Sequence, residues 1–500
     1  MTLTINIDEQ KLTKVKQLAE SKGDTVEHII EKYLENIISD SDQSTNSTSK
    51  GERDLSIEQD TISATEMIRR LQQKAGSIPS RTLTRKVILE MHILLIHQYF
   101  LKDHDGGGSR WNEMSRIWVR EGHKVSVLAG TANYMAVASE KRVDFIATKR
   151  NVDGVTVIRC RVSDQYNSSF AGRLAGYFSF VFSSVLGGIF YARNTYDLIV
   201  VTSPPLSVGI TALLLSFWKK IPFVLEIRDL WPESAIDTGA LKNPLLIRLS
   251  FAFEKYLYRK ARLINVLTPA FKDILVGKKG VDQDKIVYVP NAADFDLSEK
   301  ASLQFDRAVF REKLCITDQF VIIYVGAHGV ANHLIQLIEA AELLRDTNVC
   351  FLLIGDGMQK QELQQETERR GILNVRFMDP MPKSEIFRYI LAADIGISVL
   401  KKAEAFKKVY SNKTFDYFSC KRPVIMAIDG ISKQLVEEAK AGFFVEPENA
   451  IALAVLINFC RKDPELLVQL GENGYRYAKA HFDRNFLAKK YLNHLLLLVR

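Results

Sequence analysis

Residues 87–97, VILEMHILLIH, form a nearly continuous apolar run, and the residues after them decide how it is read. A glycine turn, Gly106-Gly107-Gly108, leads into a helical pattern from Ser109 to Glu121 and then into a second strand-like stretch, Lys124 to Leu128. An apolar strand with no polar face is buried on both sides, as in parallel sheets sandwiched between helices.

Working outward, the same alternation recurs at Val155 to Arg159, Leu198 to Thr202, Phe223 to Glu226 and Leu263 to Leu267, and Pro290-Asn291 closes this half. A second series opens at Phe320 to Val325 and continues through Val349 to Ile354, Val375 to Met378, Ile395 to Val399 and Pro423 to Met426. The expected fold class is therefore α/β, with two doubly wound, Rossmann-like domains at 86–292 and 293–480 and a C-terminal helix at 481–500.

Upstream, Thr2 to Ile7 alternates like a strand, and apolar positions at helical spacing follow on either side of Gly23. This strand–helix–helix order over 1–40 resembles the ribbon-helix-helix dimers, and so small a unit gains stability by pairing with a copy of itself. Its strand offers Thr2, Thr4 and Asn6 but no Lys or Arg, so dimerisation is expected and nucleic acid is not. Residues 41–85 read as a flexible linker, polar from Ser39 to Gln59, with a short helix from Ile62 to Ala75.

Composition excludes several classes. The chain has 500 residues, 47% hydrophobic and 25% charged, which is ordinary for a large globular protein of two domains. Five scattered cysteines without a C-x-x-C pair argue against a disulfide framework or a zinc ribbon and suit a reducing cytoplasm. The net charge of +8 suits phosphate-bearing ligands, anionic lipid and nucleic acid alike. No secretory layout opens the sequence, so a cytoplasmic location is expected, with the inner face of the plasma membrane as a candidate. Tyr177 to Ala192 is uncharged over 16 residues, short of the roughly 20 needed to span a bilayer. It reads either as a peripheral membrane contact or as a buried helix.

In open parallel sheets ligands bind beyond the carboxyl ends of the strands, so the loops there are the candidates for chemistry. The loop from His97 to Gly108 could bring backbone N–H groups to an anion, or its glycines could merely permit a turn. Glu226 to Glu233 packs charge and aromatics directly after a buried strand, where an Arg228-Asp229 pair serves equally well as an ion pair or as a functional dyad. Gly326-Ala327-His328-Gly329 and Gly355-Asp356-Gly357 allow close backbone approach to a ligand, although His328 also reads as a turn histidine. In Ser411-Asn412-Lys413-Thr414-Phe415-Asp416-Tyr417, Lys413 offers a cation for a diphosphate and Asp416 an acceptor for ribose hydroxyls.

Taken together, Leu95 to Phe100, Arg120-Glu121-Gly122-His123, Arg228 to Ser234, Phe253 to Ala261, Val289-Pro290-Asn291, Tyr324-Val325-Gly326 and Ile354 to Gly357 carry a resemblance. From about Lys86 to Arg500 the chain resembles the family 4 retaining glycosyltransferases of GT-B fold, in the form used for bacterial capsule, O-antigen and exopolysaccharide. The family's Pro-Asn-Gly-Val-Asp is Pro290-Asn291-Ala292-Ala293-Asp294 here. Its Glu-x₇-Glu pair is missing, with Lys408 at the first position and Asp416 at the second; Ser411 to Tyr417 matches the capsule subgroup's alternative segment.

The resemblance implies two domains facing across a cleft and a hexosyltransferase moving sugar from a nucleotide-sugar, UDP-linked by expectation, to a saccharide or polyprenyl-diphosphate-linked acceptor. It implies donor binding by Gly326, Gly329, Asp356, Gly357, Asn412, Lys413 and Asp416, and acceptor binding by His97, Gly107, Gly108 and Glu233. Arg228, Asp229 and His328 are the implied catalytic residues. No metal or other cofactor is expected, because cations and helix N-termini would stabilise the leaving diphosphate. A non-catalytic nucleotide-sugar-binding or DNA-binding regulator, dimerised through 1–40, is the alternative. A nucleotide-sugar epimerase or a nicotinamide dehydrogenase would need a G-x-G-x-x-G turn at the first strand, which is absent.

Overall fold

The computed structural model describes residues 90–499, except 103, 104, 106, 108, 109, 132–145, 151, 152, 164–169, 238, 240 and 304. The expected module at 1–40, the linker at 41–85 and Gly108 thus lie outside the described residues.

The first half is an eight-stranded sheet. Its strands are β1 (His92–His97), β2 (Lys124–Gly130), β3 (Ile146–Arg150), β4 (Thr156–Cys160), β5 (Leu198–Ser203), β6 (Phe223–Ile227), β7 (Leu263–Val266) and β8 (Ile286–Tyr288), in the order β3-β4-β2-β1-β5-β6-β7-β8. All neighbours are parallel except β3, which runs antiparallel to β4 at the edge. The second half has six parallel strands, β9 (Phe320–Val325), β10 (Val349–Ile354), β11 (Val375–Met378), β12 (Ile395–Val399), β13 (Val424–Ala427) and β14 (Gly442–Phe444), in the order β11-β10-β9-β12-β13-β14.

Alternation along β1 explains why the apolar run is continuous. Leu94 and Ile96 join Ile199, Leu225 and Ile264 in the core on one face, while Ile93 and Leu95 join Leu198, Val200 and Val224 on the other. The second sheet repeats this, with Val321 and Ile323 on one face and Ile322 and Tyr324 on the other. Strands β3, β8 and β14 were not anticipated. The first is a polar edge strand and the others have three residues each, so none carries an apolar run long enough to stand out.

The C-terminal helix, Arg484–Val499, crosses back to the first half. Leu487, Ala488, Tyr491, Leu492 and Leu495 are buried with Trp111 and Trp118, and the Trp118 indole N–H donates to the Ala488 carbonyl at 2.9 Å. Outgoing and returning chains run side by side: Ala293 N–H donates to Phe482 O at 2.8 Å, and Arg484 N–H donates to Ala293 O at 3.1 Å.

The uncharged stretch around 177–192 belongs to the helix Phe170–Phe190. Phe180, Ser183, Ser184, Gly187 and Gly188 are buried, while Phe178 and Phe190 face outward. Among the described residues no helix is long and apolar enough to cross a membrane.

Candidate functional site

Two loops at the carboxyl ends of β9 and β10 stack tightly because they are glycine-rich. Gly355, at φ +150°, lies so close to the first loop that a Cβ there would meet Gly326 O at 1.9 Å, and a Cβ on Gly357 would meet the His328 backbone at 2.6 Å. His328 N–H donates to Asp356 O at 2.8 Å, and the Asp356 carboxylate accepts its own turn's Gly357 N–H at 2.8 Å. The His328 ring is buried between Tyr324 and Phe377 with no hydrogen-bond partner on either nitrogen. Burial, reinforced by Lys360, pushes its pKa down to about 4, so the ring is neutral at ordinary pH.

The helix Asn412–Ser419 supplies the polar wall. Ser411 Oγ and Thr414 Oγ1 both hydrogen-bond Ser398 Oγ on β12, at 3.2 and 3.1 Å. Tyr417 OH accepts from Val325 N–H at 3.1 Å and can donate to Ile323 O or Ile397 O at 3.2 Å. Gly396 makes room for that ring, since a Cβ there would fall 2.4 Å from it. Thus anchored, the helix directs Lys413 over Gly326: a Cβ on Gly326 would come within 3.1 Å of Lys413 Cε. The ammonium lies 4.9 Å from the centre of the Tyr324 ring, and burial lowers its pKa to about 8.

Asp416, one turn on, pairs with Lys383 at 2.9 Å. Lys383 also pairs with the buried Asp294, and Asp294 accepts from Arg484 Nε at 2.5 Å. Burial alone would raise the Asp294 pKa, but Arg484 and Lys383 outweigh it and hold the carboxyl well below the usual range. For Asp416 burial prevails and its pKa is raised. Sequence reasoning missed Lys383, Asp294 and Arg484, because 294, 383 and 484 meet only where the chain passes between the halves. The one trace was Asp294 in the Pro290–Asp294 segment.

These walls and the first half enclose a cavity of about 200 Å³. Of the sequence candidates, Gly107, Arg228, Gly326, Asn412, Lys413 and Asp416 line it, together with Lys383, Pro380 and Met381. Gly329, Asp356, Gly357 and His328 shape the adjoining loops and are not among its lining residues.

Three further candidates also stand back from the lining. His97, buried at the end of β1, has Nδ1 2.7 Å from Thr202 Oγ1, and burial followed by Arg228 and Arg159 holds its pKa well below the usual value. Asp229 accepts from the Leu230 backbone N–H and the Ser234 hydroxyl, yet burial raises its pKa to about 6. Glu233 pairs with Lys279 at 2.6 Å, which also holds the buried Glu254 at 2.5 Å, so it serves a local ion network. Beneath them, Glu226 is wholly buried and held by Arg110 through two hydrogen bonds, at 3.0 and 3.1 Å. Among the described residues no cluster of three His, Cys, Asp or Glu side chains is disposed to hold a metal ion.

Each half matches a known domain family: residues 105–292 the glycosyl transferase 4-like domain, and residues 306–477 the glycosyl transferases group 1. The two halves are the paired domains of a glycosyltransferase. This enzyme is 23% identical over 410 residues to a protein of Escherichia coli K12 described as a colanic acid biosynthesis glycosyl transferase, WcaI, covering 81% of this chain and 99% of the relative. It is 24% identical over 212 residues to an O-antigen chain mannosyltransferase C of Escherichia coli, covering 42% of this chain and 54% of that one.

Among solved structures, the glycosyltransferase superposes on a sucrose-phosphate synthase from Thermosynechococcus elongatus with a TM-score of 0.63 at 16% identity, covering 82% of this chain and 100% of the other. On Anabaena HepE in complex with UDP-glucose the TM-score is 0.60 at 18% identity, covering 81% and 99%. At such identities the likeness establishes the fold, two Rossmann-like halves across a cleft.

Proposed function

We propose that this glycosyltransferase binds a nucleotide-sugar, UDP-linked, in the cavity between its halves and transfers the sugar, with retention, to a saccharide or lipid-linked saccharide of a cell-surface polysaccharide. The observation that carries this reading is Lys413: an ammonium over the glycine loop of β9, with no carboxylate in ion-pair reach among the described residues. A half-buried cation without an ion-pair partner is poised for an anion brought by a ligand, here the donor's diphosphate. Asp416, steadied by Lys383, then accepts from ribose hydroxyls.

Transfer places most new charge on the leaving diphosphate, so stabilising it is the chief catalytic demand, met by Lys413 and by Arg228 from the opposite wall. Neutral His328 supports the donor loop from beneath, and Asp229, close to neutral pH in its titration, lies at the acceptor side. Activity without added metal belongs to the same reading. The WcaI relative's description in colanic acid biosynthesis and HepE's complex with UDP-glucose favour the substrate classes named.

A thermal-shift panel of UDP-, GDP- and dTDP-sugars tests the donor, because a ligand that binds only the folded state raises Tm. One nucleotide class should shift Tm in the native protein and shift it clearly less in Lys413→Met. No shift with any class at millimolar ligand defeats the reading, and loss of turnover in chelator defeats its metal-free part.

A further inference from the structure

Three helices cover one face of the first sheet: Phe170–Phe190, Val208–Lys219 and Pro244–Lys260. Their inner faces fill the core, yet their outer faces are apolar too. Phe178, Phe190, Leu214, Phe217, Trp218 and Leu245 are all exposed, Phe217 to 85% and Trp218 to 64%. They form one surface because the helices lie side by side. Gly188 accommodates Leu215, with a Cβ position 2.3 Å from its Cδ1, and Gly209 accommodates Leu257 in the same way at 2.4 Å. Ser184 Oγ and Thr211 Oγ1 are 2.9 Å apart across the first pair.

Charge on this layer has a single sign. The three helices hold one acid, Glu254, which is buried and paired with Lys279. Exposed cations stand on the third helix at Arg248, Lys255, Arg259 and Lys260, and beyond the ends of the other two at Arg193 and Lys220. Exposed aromatics among cations, with no exposed acid, complement an apolar phase bordered by negative charge.

We propose that this three-helix layer is a docking surface for an anionic lipid bilayer. In a parallel sheet the covering helices run opposite to the strands, so Leu245 lies at the end near the carboxyl ends of the strands, where Gly107 and Arg228 border the cavity. Lying flat, the layer sets the rim of the cavity beside the membrane. This deepens the lipid-linked-acceptor reading and rests on it for its purpose, but its test reads binding alone.

Full-length protein is mixed with vesicles of phosphatidylcholine containing phosphatidylglycerol, and with vesicles of phosphatidylcholine alone, and partition is measured by co-sedimentation. Binding is expected to the anionic vesicles, with a blue shift of tryptophan emission that Trp218→Gln removes, since Trp111 and Trp118 are already buried and Trp231 is half-buried beside the core. Phe217→Gln with Trp218→Gln should weaken partition by about tenfold or more, and Arg193→Gln with Lys220→Gln should weaken it about tenfold on anionic vesicles only. The nucleotide-sugar thermal shift should be unchanged in both double variants, which separates failure of docking from failure of the donor reading. No binding by the native protein, equal binding by the variants, or a native dimer that the Phe217/Trp218 variant converts to monomer would each overturn the proposal, the last by making the face an interface between copies.

Discussion

Raising the pH from 7 to 9 should strip the charge from Lys413 and weaken nucleotide-sugar binding. Burial sets the Lys413 pKa at about 8 in the unliganded enzyme, so its ammonium is mostly present at pH 7 and mostly absent at pH 9. If only the protonated form binds the diphosphate, the apparent Kd scales as one plus the ratio of neutral to charged lysine, which predicts a loss of about tenfold across this interval, or about 1.4 kcal/mol. The diphosphate of a nucleotide-sugar is a diester with no group titrating there, and any ionisation of the base toward pH 9 would persist in a lysine variant, so the part of the slope lost with Lys413 belongs to the protein. Isothermal titration in buffers of different ionisation enthalpy should also show proton uptake on binding near pH 8.5, because a bound diphosphate raises the lysine pKa. Lys413→Met, which keeps an unbranched chain one atom shorter beside Tyr324, should bind at least about tenfold more weakly at pH 7 and lose the slope. A flat native profile between pH 7 and 9, or an unchanged slope in Lys413→Met, would refute the assignment of this lysine to the diphosphate.

Two other perturbations address the first half. Asp229 titrates near pH 6 because burial disfavours its charge, so if its carboxylate serves the acceptor, kcat/KM should fall about tenfold per unit below that pH, and Asp229→Asn should lower turnover and abolish this acid limb; unchanged turnover in Asp229→Asn removes it from the role. Replacing Arg110 by Met leaves Glu226 wholly buried without its ion-pair partner, and denaturant unfolding should register a loss of about 3–5 kcal/mol, whereas a loss under about 1 kcal/mol would mean that solvent reaches Glu226.

Much of this architecture was written locally. Continuous apolar runs such as Leu198 to Thr202 and Val349 to Ile354 suit strands buried on both faces, and these two match the strands found to within a residue. The glycine loop at Gly326 and the segment from Asn412 to Asp416 were equally legible, because a ligand loop after a parallel strand needs glycine where backbone must come close and a cation where charge must be met. Short and polar strands such as β3 escaped, since their stability comes from neighbours and not from their own side chains.

The tertiary structure alone decided which of these residues share a cavity. Nothing local distinguishes Lys413, which lines it, from His328, whose ring is sealed between Tyr324 and Phe377, because burial of a loop residue is imposed by the segment packed over it. The network of Asp294, Lys383, Asp416 and Arg484 joins positions up to 190 residues apart through two crossings of the chain that meet only in space. The sequence by itself set the α/β class and the two sheets, since these follow from periodicity and backbone sterics, and it named Gly326 and Lys413 only as separate candidates. Folding decided the partners and the pKa values, because electrostatic energy depends on distances and burial that no stretch of chain encodes alone.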